Sequence, residues 1–158
     1  MNPNSQPAGR NSLSEIEHRS GEIDMDNKNN AHRRGLELLD TLHGGHVGEA
    51  MVEEMKAICP DFATMTIEWA INGIMGRPGL DLATRELLLV ASCVTRGNAQ
   101  PQLRAHMEAA AKLGVSRGKM IESLLTLLFY AGGPSVRNAL MEIPGVYDTR
   151  ETASVASR

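Results

Sequence analysis

Glu86 and His106 are the side chains of this chain best suited to move a proton, and they stand twenty positions apart in a stretch that otherwise reads as plain helix. An imidazole with an ordinary pKa near ~6.5 exchanges protons at neutral pH, which makes His106 the first candidate for general acid–base work. His106 falls at the edge of an apolar stripe formed by Leu103, Met107, Ala110 and Leu113, where a boundary histidine with a purely structural role also fits. Arg85 precedes Glu86 directly. Adjacent helix residues diverge by about 100°, so the two cannot share a direction, although they can line neighbouring walls of one cleft. A guanidinium there could hold a substrate carboxylate by paired hydrogen bonds. Its plainer role is an ion pair with Asp81 four residues earlier, with Glu86 as a first-turn carboxylate favoured by the helix dipole. Cys93 lies two turns after Glu86 among Leu89, Val90 and Val94, and apolar surroundings raise a thiol pKa and leave it inert. His43-Gly44-Gly45-His46 has a metal-like gap but no obvious third ligand, and a helix end welcomes an imidazolium anyway. No metal and no cofactor is therefore expected.

The elements that must position these residues are helices. The apolar residues are mostly Leu, Ala, Met, Ile and Val, and only five residues are aromatic: Phe62, Trp69, Phe129, Tyr130 and Tyr147. That balance favours helix over strand. A chain of 158 residues fits one domain with a serviceable core. A formal charge of −3 without a basic stretch argues against nucleic acid as a partner. Cys59 and Cys93 belong to no paired pattern and read as free thiols in a reducing compartment. With no apolar leader and no membrane-length run, a soluble cytoplasmic protein is the simplest expectation.

Residues 1–30 are polar with little apolar periodicity, and read either as a flexible arm or as one lying across a neighbouring subunit. Residues 149–158 read as a tail. Between them, over 31–148, the period is helical throughout. The first helix is expected from about Ala31 to Leu42, and the second from about Val47 to Ile58. Pro60-Asp61 opens a third, which Gly76-Arg77-Pro78-Gly79 breaks. Asp81 caps a fourth ending near Arg96-Gly97. Pro101 suits the first turn of a fifth, which closes at Leu113-Gly114. Ser116 caps a sixth running to about Tyr130, and a seventh spans Ser135 to Glu142. Apolar residues cover nearly every side of Leu87–Val94 and Leu124–Phe129. Two helices apolar all round crowd a 17 kDa monomer, so burial at a subunit interface, and hence an oligomer, is expected.

Arg77-Pro78-Gly79-Leu80, Thr84-Arg85, Leu103-Arg104-Ala105-His106, Leu113-Gly114-Val115 and Tyr130-Ala131-Gly132-Gly133-Pro134 follow one another in an order and spacing that resembles the carboxymuconolactone decarboxylase family and, within it, the alkylhydroperoxidase D-like fold. The resemblance covers Ala31 to Tyr147, about three quarters of the chain. It implies an all-α bundle of about six to seven helices that assembles as a homotrimer or homohexamer. It also implies departures. The peroxidase branch uses two cysteines where this chain has Ala99 and Gln102, although that branch's glutamate is matched by Glu86. The decarboxylase branch typically carries an acidic residue where this chain reads Asn72-Gly73, and a second histidine where it has Thr126. Arg85 and His106 match.

The expectation from these residues is a cofactor-independent decarboxylase-like lyase acting on a small carboxylated lactone or keto acid. Arg85 would anchor the carboxylate, His106 and Glu86 would transfer the proton, and Thr126 and Tyr130 would complete the substrate contacts. An isomerase or cyclase of a specialised pathway could use the same Glu86/His106 pair. A non-catalytic binding or assembly protein on the same scaffold is the third reading. A thiol peroxidase comes last.

Overall fold

The computed structural model describes residues 13–44 and 46–148, with the side chains of residues 13–26, 46, 47 and 49 left undescribed. The chain is all-α: among the described residues there are seven α-helices and no strand. They are α1 (Leu13–His43), α2 (His46–Ile58), α3 (Pro60–Met65), α4 (Leu82–Arg96), α5 (Gln100–Lys112), α6 (Arg117–Thr126) and α7 (Gly132–Leu140). A π-helical segment, Thr66–Met75, continues α3 without a break, and shorter turns close α6 (Leu127–Phe129) and the last segment (Pro144–Asp148). None of the described helices is long and apolar enough to cross a membrane.

Local chemistry sets most boundaries. Asp81 stands outside the helical region, and its Oδ1 accepts from the Thr84 amide at 2.8 Å while Oδ2 accepts from the Thr84 hydroxyl at 2.7 Å. At the other end of α4, Gly97 takes φ 74°, and its amide reaches back to the Cys93 carbonyl. Gly114, at φ 90°, ends α5 with a double closure: its amide bonds the Ala111 carbonyl and that of Val115 bonds Ala110. Ser116 then caps α6 by accepting from the Lys119 amide.

Two boundaries depart from the sequence expectation. The first helix begins at Leu13 rather than near Ala31, so residues 13–30 of the segment read as an arm or tail continue α1 as helix. No proline falls between Pro7 and Pro60, and Glu, Arg and Lys sustain a helix on propensity without an apolar stripe to announce it. Residues 1–12 and 149–158, the remainder of the expected tails, lie outside the described residues. The third helix changes to π geometry, with the Gly76 amide bonding the Ile71 carbonyl five residues back.

The core sits between α4, α5, α6 and α7. Val90, Val94, Leu103, Met107, Met120, Leu124, Val136 and Ile143 are its main members. Two smaller clusters hold α1 on: Leu39, Val52 and Ile67 in one, and Leu42, Met75 and Ala109 in the other. Because α5 packs against both α4 and α1, side chains from all three helices can meet at one point.

Candidate functional site

They meet at Glu86. This residue lies on α4 with a side chain that is 0 % exposed, the only polar or charged residue among the described buried ones. Its Oε2 is 2.8 Å from Nδ1 of His106 on α5, whose side chain is 23 % exposed. An ionised carboxylate only accepts, so Nδ1 is the donor in this bond. The other carboxylate oxygen, Oε1, is buried without a hydrogen-bond partner. A buried oxygen in that state carries a desolvation cost of about 1–3 kcal/mol, more when charged, and native folds rarely keep one without a use for it.

His43, the last residue of α1, completes the group. Its ring stands edge-on to that of His106, centroids 5.9 Å apart and planes inclined at 62°. One ligating atom from each of His43, Glu86 and His106 falls within 4.8 Å of the other two. The His43 pKa is lowered from its ordinary value chiefly by burial. His106 and the Lys112 ammonium push it the same way, while Glu86 and Glu108 oppose them, and the imidazole is neutral at pH 7. The same residue lines a cleft of about 370 Å³ between α1 and α2, walled by Leu36, Leu39, Gly44, Gly48 and Val52 with Asp40, Glu53 and Lys56. His43 thus stands between an open cleft and a buried carboxylate. Gly44 must be small here, because a Cβ would run into the Asp40 backbone carbonyl.

The other sequence-derived candidates lie elsewhere. Arg85 is half-buried and turned away from Glu86: Nη2 donates to the Arg77 carbonyl at 2.8 Å and Nε to Leu80 at 3.2 Å. It ties down the turn that precedes α4. The ion pair with Asp81 does not form, because Asp81 is occupied by Thr84. Thr126 is exposed, its hydroxyl bonding the Glu122 carbonyl, and Tyr130 is 95 % exposed; neither lines the α1–α2 cleft. Cys93 is half-buried, its thiol pKa raised by burial as expected, and Cys59 is exposed. Of the metal-like pair His43/His46, the His46 side chain lies outside the described residues. The residue that sequence reasoning missed is His43 as a partner of Glu86. Its only signal was a histidine at a helix end, and nothing in the sequence links position 43 to position 86.

The described residues thus form an all-α chain in which a buried glutamate bonds a part-exposed histidine. Residues 60–142, just over half of the chain, match the model of the carboxymuconolactone decarboxylase family, and the chain belongs to that family. It is 29 % identical over 115 residues to the 4-carboxymuconolactone decarboxylase of Acinetobacter baylyi, covering 72 % of this chain and 84 % of that one. It is also 28 % identical over 94 residues to an uncharacterised 15.0 kDa protein of Paracoccus denitrificans, covering 59 % of this chain and 70 % of that one. His43 lies outside the residues matched by the family model.

Proposed function

We propose that the chain is a decarboxylase-like lyase acting on a small carboxylated lactone or keto acid, with Glu86 and His106 as its proton-transfer pair. The observation that carries this reading is the Glu86 carboxylate, fully buried and 2.8 Å from the His106 ring. When a carboxylate placed β to a carbonyl, or vinylogous to one, leaves as CO2, the C–C bonding electrons pass into the carbonyl. The resulting enolate must take a proton at carbon or oxygen. His106, oriented by Glu86, is the group that delivers it, and the neighbouring His43 imidazole can bond the oxygen that gains charge. The substrate carboxylate is met by Lys112, the ammonium whose field reaches His43. Arg85 serves by fixing the turn at the start of α4. The reading includes assembly as a homotrimer or homohexamer, supported by the apolar side chains that the single chain leaves exposed.

The test is release of CO2 from 4-carboxymuconolactone and related carboxylated lactones. His106→Ala and Glu86→Gln are each expected to lower turnover by about 10²-fold or more, and Lys112→Met to raise KM more than it lowers kcat. Turnover unchanged in both His106→Ala and Glu86→Gln sinks the mechanism.

An isomerase or cyclase is the second reading, favoured by the neutral His43 imidazole, which can abstract a proton. A product that retains its carboxylate decides for it.

A further inference from the structure

We propose that His43, Glu86 and His106 form a binding site for one divalent transition-metal ion, open toward the α1–α2 cleft. The inference goes beyond the lyase reading, which needs only the proton shared by Glu86 and His106.

The donor set comes first. Two imidazoles and one carboxylate, each from a different helix, are the ligands that suit zinc, iron(II) and cobalt(II), and three protein ligands leave coordination positions open for substrate or water. The ligating atoms already lie within 4.8 Å of one another. Glu86 Oε2 and His106 Nδ1, 2.8 Å apart, would subtend about 85° at an ion ~2.1 Å from each, the angle of a five- or six-coordinate site rather than a tetrahedral one. His43 has the furthest to travel, because two ligands on opposite sides of an ion stand only about 4.2 Å apart at such bond lengths. Its place at the terminus of α1, beside the cleft, gives the ring room for that small inward turn.

The second observation is the state of Glu86. Its Oε1 is buried with no partner, so the fold keeps an uncompensated acceptor where the three residues converge. A cation removes that deficit, with Oε1 free to make the carboxylate bidentate. The charges that face His43 permit it. Glu86 on α4 is acidic, Glu108 on α5 is paired with Arg104 at 3.0 Å, Lys112 on α5 opposes them, and His106 is the remaining titratable neighbour. Across the cleft Glu53 and Lys56 on α2 neutralise each other at 2.8 Å, and Asp40 adds a further acid on α1. The balance is negative. A bound ion would supply the site with an electrophile for an oxygen that gains charge, and the proton that Nδ1 now donates to Glu86 would be displaced to Nε2 or to solvent as the ion enters.

The experiment is calorimetric titration of the full, tag-free chain, stripped with EDTA and then given Zn2+ or Co2+ separately in two buffers of different ionisation enthalpy. One ion per chain is expected, together with a cobalt absorption spectrum free of thiolate charge-transfer bands. His43→Ala and Glu86→Gln should each weaken binding by roughly tenfold or more, while Cys59→Ser leaves it unchanged. His43→Ala keeps the measurement informative if Glu86→Gln folds poorly, and circular dichroism of each variant checks that point. No binding by the wild type, equal binding by His43→Ala, or loss on Cys59→Ser overturns the proposal. Turnover is read separately: lyase activity that survives in the EDTA-stripped chain without ion binding defeats this inference alone. Ion binding with no CO2 release from any lactone defeats the lyase reading alone.

Discussion

A carboxylate with no solvent exposure and one unpartnered oxygen makes Glu86 the least stable feature of its own surroundings. Replacing it with Gln keeps an acceptor for His106 and removes a buried charge. Glu86→Gln is therefore expected to melt at or above the wild-type temperature, by an increment of order 1 kcal/mol, while losing turnover. A clear fall in Tm would show that the charge stabilises the fold. The two thiols separate for a related reason. Burial raises the Cys93 pKa and leaves less thiolate at any pH, whereas Cys59 is exposed. An aromatic disulfide reagent at pH 8 should thus modify Cys59 well before Cys93, and equal rates would contradict the burial described here.

At the scale of elements, the caps and one close helix contact carry the predictions. The Asp81 pKa is lowered first by the Thr84 hydroxyl and then by the Thr84 amide. A carboxylate held below its ordinary 3.8 contributes stability above that pH and loses it as pH falls through the lowered value. Asp81→Asn should flatten this part of the acid limb in denaturation followed from pH 5 to 2, and an unchanged limb would assign it to other carboxylates. Ser116→Ala removes the α6 cap and should cost about 1 kcal/mol in urea unfolding. Gly35, in the middle of α1, is buried where a Cβ would sit 2.7 Å from Ile67 Cγ2 and closer still to the Ile67 carbonyl oxygen. Gly35→Ala must therefore push α1 off the π segment, at a cost of about 1–3 kcal/mol by the same measurement. Since α1 carries His43, it should also weaken any ligand at the site. The caps were legible from Asp81, Gly97, Gly114 and Ser116 because each acts on neighbours within five residues. The π geometry was not legible, because it is set against α1, more than thirty residues earlier.

The whole molecule leaves Ile58, Phe62, Met65 and Trp69 exposed along one stripe of α2, α3 and the π segment, and Leu88, Leu128, Phe129 and Tyr130 exposed at α4 and the turn after α6. Patches of this kind are normally covered. The full chain is expected to elute as a trimer or hexamer under light scattering, and Leu88→Lys with Leu128→Lys to shift it toward monomer; a wild-type monomer at micromolar concentration would refute this. The sequence by itself determined the all-α class, the order of the helices from α4 onward, the caps, and the pairing of a glutamate with a histidine as the chemistry to look for. Helical period and capping are local properties, and Glu86 and His106 stand on neighbouring helices joined by a short connection. Only the tertiary structure decided that His43 joins them and that Arg85 spends its donors on the Arg77 and Leu80 carbonyls. It alone decided that Thr126 and Tyr130 face outward in the single chain. Those outcomes depend on α5 lying between α1 and α4, a packing of apolar faces that brings residues 43 and 86 together across the chain and that no periodicity encodes.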